Sequence, residues 1–209
     1  MPIDAQEEAM MFERELAAEL RRCAEMLPVV TLLGPRQSGK TTLARAFGQC
    51  FYFGMMGLPV PAGVCKLPYC SGIHTHFANE EGTEGLEGRL HNEIVRIREM
   101  LDSIDNRSVV ILNELFTSAP TADALTMSRD LLRRLLARNA ICFYVTHTFE
   151  IAFDSDDYVS LVATVVEDGS FRRTYRIVRK RADGAAYANS IVSKYKLDYS
   201  HINYRLGKR

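Results

Sequence analysis

Two rhythms of apolar residues run along the chain. One steps by three and four. Phe12, Leu16, Leu20, Cys23 and Leu27 keep it early on, and Leu86, Leu90, Ile94, Ile97, Leu101 and Ile104 keep it later. Such spacing lines one face of a helix, so helices are expected over 5–26 and 86–104. Leu125, Leu131, Leu132, Leu135 and Leu136 extend the same logic to 121–138. Further helices are expected over 40–53 and 185–195. The second rhythm is the short unbroken apolar run, found at 29–33, 108–112 and 140–146. Runs of this kind suit strands buried on both faces, as in a parallel sheet.

Residues 158–167 and 171–179 read as a hairpin around Glu167-Asp168-Gly169-Ser170. Gly57, Pro59, Pro61 and Gly63 punctuate 57–67, which reads as loop and short strand. The polar, glycine-rich stretch 78–88 reads as an exposed loop. Strands that alternate with helices predict an α/β fold with a mostly parallel sheet flanked by helices, to which the hairpin adds antiparallel pairing.

Composition narrows the class. A chain of 209 residues predicts one compact domain. Its 47% hydrophobic and 25% charged residues exclude a disordered chain, a collagen and a disulfide-framed mini-protein. Five cysteines, an odd number, argue against a disulfide framework. The longest apolar stretch, 27–33, is far short of the ~20 residues of a membrane span. The first 25 residues hold seven acids and three arginines without an apolar core, which is no signal peptide. A cytoplasmic protein with no membrane partner is therefore expected.

The net charge is zero, yet it is divided. Residues 172–209 contain 11 Lys/Arg and two acids, a balance of +9, and the remainder carries −9. This predicts a basic edge for a polyanion such as DNA, or else pairing with acids of the same domain.

The decisive motif is Gly34-Pro35-Arg36-Gln37-Ser38-Gly39-Lys40-Thr41, followed by Thr42. It fits the phosphate loop G-x-x-x-x-G-K-[ST], between a short apolar run and a predicted helix. Backbone N–H groups of such a loop converge on phosphate oxygens, and the helix directs its positive end at the same anion. Lys40 is expected on the β- and γ-phosphates of ATP and Thr41 on Mg²⁺. Val109-Val110-Ile111-Leu112 ends in Asn113-Glu114, the form of a Walker B strand. Asn113 is expected near the metal, contributing no charge, and Glu114 is the candidate general base. His147, just past the strand ending at Thr146, can reach a γ-phosphate. The loop 80–89, with Gly82, Gly85 and Gly88, leads into a long helix and could present N–H groups to the nucleotide of a second subunit, or be a plain surface loop. Cys65, Cys70, His74 and His76 have spacing that could gather zinc, but alternate strand side chains face opposite ways and rarely converge.

These segments together resemble the ATPase domain of the MutS family of DNA mismatch-repair proteins. The resemblance is carried by 34–42, Ala44-Arg45-Ala46-Phe47-Gly48-Gln49, Pro59-Val60-Pro61, Thr75-His76-Phe77, Leu112-Asn113-Glu114-Leu115-Phe116, Val145-Thr146-His147, 162–166 and 177–184. It implies an ABC-type P-loop NTPase fold that dimerises head to tail around ATP. It also implies that Glu114 activates water, that His147 senses the γ-phosphate, and that the loop before Leu90 acts in trans. Arg36 and Ser38 depart from the family's loop, Asn113 stands where an aspartate is usual, and Gly88-Arg89 replaces a Ser-Thr pair. The expected division is an N-terminal helix over 1–27, an ATPase-like domain over 28–199 and a basic tail over 200–209. Nothing corresponds to the family's mismatch-binding, connector, lever or clamp domains. The N-terminal stretch also resembles AAA-related ATPases. Two alternatives to an ATP-hydrolysing homodimer therefore stand: an AAA-related ATPase, and a nucleotide-gated interaction module with little turnover, which Asn113 favours.

Overall fold

The computed structural model describes residues 29–34, 38–77, 85–153, 158–165 and 173–180. The expected helices over 5–26 and 185–195, the basic tail and Pro35, Arg36 and Gln37 lie outside them. Six strands, β1 (Val29–Leu33), β2 (Gly72–Phe77), β3 (Ser108–Asn113), β4 (Ile141–Val145), β5 (Tyr158–Val165) and β6 (Arg173–Arg179), form one sheet in the order β2-β3-β4-β1-β5-β6. β1 through β5 are parallel, and β6 runs antiparallel to β5. The helices are α1 (Lys40–Met55), α2 (Leu86–Ser103) and α3 (Thr121–Ala137), with a 3₁₀ turn at Phe149–Phe153. The α/β class, the mostly parallel sheet and the antiparallel addition all agree with the sequence reading.

The side-chain alternation of each strand feeds two cores. Val30 and Leu32 of β1, Val109 and Ile111 of β3, and Phe143 and Val145 of β4 pack with Leu43, Ala44 and Phe51 of α1. Val29, Val110, Leu112, Cys142 and Tyr144 face the other way, onto Ile97 and Leu101 of α2 and Leu131, Leu132 and Leu135 of α3. The sheet is thus covered on both sides, which is why β1, β3 and β4 are apolar almost throughout.

One local expectation fails. The short strand sought in 57–67 is absent there, and β2 forms instead at Gly72–Phe77, parallel to β3. Pro59, Pro61 and Pro68 have no N–H to give a ladder. β2 is an edge strand covered only in part, so two histidines and a threonine interrupt its apolar positions. Helix α2 also claims Leu86 to Gly88 from the expected loop.

Candidate functional site

β1, β3 and β4 are neighbours or near neighbours, and their carboxyl ends reach the same rim of the sheet. In open parallel sheets this rim is where ligands bind. β1 delivers Gly34, whose φ of 136° suits glycine alone; a Cβ there would stand 2.8 Å from the Ala163 Cβ on β5. Gly39, at φ 84°, turns the chain into α1 as its N-cap, and no side chain caps the helix. Gly39 thus brings no side chain of its own to the first-turn N–H groups that face the rim. Lys40 follows, 4% exposed, with Nζ donating to the Gly34 carbonyl at 2.9 Å. Ser38 is buried beside it, whereas Thr42 is exposed.

Thr41 donates its hydroxyl to Asn113 Oδ1 at 3.1 Å, joining the first turn of α1 to the end of β3. Beyond Asn113 the Glu114 N–H still bonds the Val145 carbonyl at 2.9 Å. There the chain turns sharply. Glu114 (φ 54°) and Phe116 (φ 58°) both adopt left-handed backbone, which costs a non-glycine residue about 1–3 kcal/mol. The turn lifts the Glu114 carboxylate to the rim, where Oε1 lies 2.7 Å from His147 Nε2. The oxygen sits off the ring N–H axis, so Nε2 makes no well-formed hydrogen bond among the described residues. Both side chains stay open to solvent, 30% and 38% exposed.

His147 is held from below. The Thr146 N–H bonds the Leu32 carbonyl at 3.1 Å, and its hydroxyl accepts the Thr148 N–H at 3.0 Å. Tyr144, hydrogen-bonded to Ser128 of α3 at 3.1 Å, also reaches Thr146, and burial raises its phenol above the usual range. A second support comes from α2. Glu93 Oε1 accepts the Phe116 N–H at 2.9 Å and contacts His76 Nε2 at 3.1 Å.

The rim thus gathers Gly34, Ser38, Gly39, Lys40, Thr41, Asn113, Glu114 and His147. A lysine, a hydroxyl and a helix N-terminus fit a polyphosphate by charge and donor count. The Thr41 hydroxyl and Asn113 carbonyl oxygen are the hard, neutral donors that Mg²⁺ accepts alongside water. Gly85 precedes α2 without a side-chain cap, while 78–84 lie outside the described residues. The four suspected zinc ligands do not assemble: Cys70 donates to Met55 Sδ, His76 turns to Glu93, and no group of three metal-binding side chains occurs among the described residues. Sequence reasoning missed Glu93. Its signal was a carboxylate on the apolar stripe of α2, between Leu90 and Ile97.

Comparison with known proteins gives the following. The MutS domain V family matches residues 29–196. Endonuclease MutS2 of Gemmatimonas aurantiaca is 23% identical over 172 residues, covering 81% of this chain and 21% of that protein. DNA mismatch repair protein MutS of Lactococcus lactis is 25% identical over 182 residues, 84% and 22% of the two chains. Its namesake from Thermus thermophilus is 26% identical over 123 residues, covering 59% of this chain and 15% of that one. The chain spans about a fifth of the length of these relatives, or less.

Proposed function

Because the chain belongs to the MutS domain V family, we propose that it is a MutS-type module that binds and hydrolyses ATP. The convergence of Lys40, Thr41, Asn113, Glu114 and His147 on one rim carries this reading. Lys40 and the N–H groups around Gly39 hold the β- and γ-phosphates, and Thr41 with Asn113 holds Mg²⁺. When bound, Mg²⁺ offsets the negative charge of the phosphate oxygens. Glu114 orients a water and takes its proton as the water oxygen bonds to the γ-phosphorus. The bond from that phosphorus to the bridging oxygen breaks, leaving ADP and phosphate. His147, beside Glu114, contacts the γ-phosphate and registers its loss. Pro35, Arg36, Gln37, Ser38 and Thr42 complete the phosphate-loop assignment.

ATP joins two copies head to tail in this proposal, with the 80–89 loop of one copy facing the nucleotide of the other, and hydrolysis parts them. DNA is the second proposed partner, met by the basic residues of 172–209. The names of the relatives support a place in mismatch repair or a related DNA transaction. The test is ATP turnover with and without duplex DNA, matched and mismatched. Turnover at or above about 0.01 per second, abolished in Glu114→Gln, supports the proposal; none under any condition sinks it.

Asn113 favours a second reading. It leaves the metal position without a carboxylate, so the chain would grip ATP and scarcely turn it over. Tight ATP binding with no turnover selects this reading over the first.

A further inference from the structure

Glu93 belongs to α2, yet its carboxylate ends beneath the turn that displays Glu114. Oε1 accepts the Phe116 N–H at 2.9 Å and lies 3.1 Å from His76 Nε2 on β2. The Glu93 and His76 side chains are 12% and 10% exposed, and Phe116 is buried. Three elements therefore meet at one oxygen atom. The turn they hold needs holding, since Glu114 and Phe116 both carry left-handed backbone that a free chain would relax. On its other side the turn is tied by the Glu114 N–H on the Val145 carbonyl and the Ala119 N–H on the Phe116 carbonyl, while Leu115 and Phe116 are buried in the core. A charged acceptor makes the strongest of the available bonds to a backbone N–H.

We infer that Glu93 is a positioning residue: it fixes the strained turn after β3 and so sets where the Glu114 carboxylate meets water. The inference rests on the ATPase reading of Glu114. It ties the aim of that carboxylate to the seating of α2 on the sheet, although Glu93 itself touches no part of the rim where phosphate is held. The Lys40 bond to the Gly34 carbonyl involves neither Glu93 nor Phe116, so loss of Glu93 should separate turnover from nucleotide affinity.

The experiment uses the full chain and two independent readouts. In Glu93→Ala, kcat for ATP falls about 10- to 100-fold while KM and ATP affinity stay within about threefold, because the aim of Glu114 is lost and the phosphate grip is not. Glu93→Gln, whose amide oxygen still accepts the Phe116 N–H, recovers most of the activity. In ligand-free protein, hydrogen exchange at the Phe116 amide accelerates in Glu93→Ala and not in Glu93→Gln. Should Glu93→Ala lose its fold by circular dichroism, Glu93→Asp serves instead: it keeps the charge, withdraws the carboxylate by one methylene, and carries the same expectation. Unchanged kcat, equal damage from Gln and Ala, or parallel loss of ATP affinity overturns the inference. Absence of turnover in the unsubstituted chain overturns the ATPase reading instead, and unchanged exchange at Phe116 overturns the role of Glu93 separately.

Discussion

Lys40 is buried with its ammonium on the Gly34 carbonyl, so it is already aimed into the loop that precedes it. Lys40→Ala should weaken ATP binding by roughly 100-fold or more, since it removes a charge-assisted contact to the phosphates; isothermal titration reads the loss directly. At Asn113 the opposite change is informative. Asn113→Asp puts a carboxylate where Thr41 now donates its hydroxyl, and should lower the Mg²⁺ concentration needed for half-maximal turnover. A further prediction concerns pH. Asp105, in the turn between α2 and β3, accepts from the Ser71 and Ser108 hydroxyls and the Arg107 N–H. The Ser71 hydrogen bond foremost, with the other two, lowers its carboxyl from 3.8 to about 2. A carboxyl depressed by folding stabilises the native state above its unfolded value, and the benefit fades as pH falls through the folded one. Asp105→Asn should therefore be less stable than the parent at neutral pH, and the gap should close between about pH 4 and 2 in urea denaturation curves.

At the scale of the element, stops and starts follow rules that single residues carry. α3 ends in a turn where the Ala140 N–H reaches the Leu135 carbonyl and the Asn139 N–H the Leu136 carbonyl, with Asn139 at φ 55°. Asparagine tolerates that conformation, while alanine resists it by about 1 kcal/mol, so Asn139→Ala should lower stability by roughly that amount in chemical denaturation. Leu135, fully buried between α3 and the sheet, should cost about 2–5 kcal/mol on truncation to alanine. The long helices and the buried strands were legible because burial on one or two faces imprints a period of 3.6 or an unbroken apolar run. The glycines of the 34–41 motif answer a backbone need, since Gly34 and Gly39 both take positive φ. β2 was not, because a half-covered edge accepts His74, Thr75 and His76. Glu93 escaped notice because one partner is a main-chain N–H in a turn 23 residues away, which leaves no mark on sequence, and the other, His76, sits on the edge strand that the pattern did not reveal.

For the molecule as a whole, the division of charge and the order of the strands matter most. If the excess of base in residues 172–209 meets DNA, affinity should fall steeply with added salt, by about tenfold or more between 50 and 200 mM, as released counterions require. A flat salt response in fluorescence anisotropy would remove DNA as a partner. The sheet order also bears on how the protein comes into being. β1 comes first of the six strands, yet both of its neighbours lie more than 100 residues downstream, β4 at Ile141–Val145 and β5 at Tyr158–Val165. The contacts that fasten β1 therefore span most of the chain and form slowly. A nascent chain halted near residue 140 would hold its phosphate-loop sequence on a strand with no partner on either edge. If the chain grips ATP as proposed, that competence should arrive abruptly, once the strands beyond Ala140 close around the centre of the sheet.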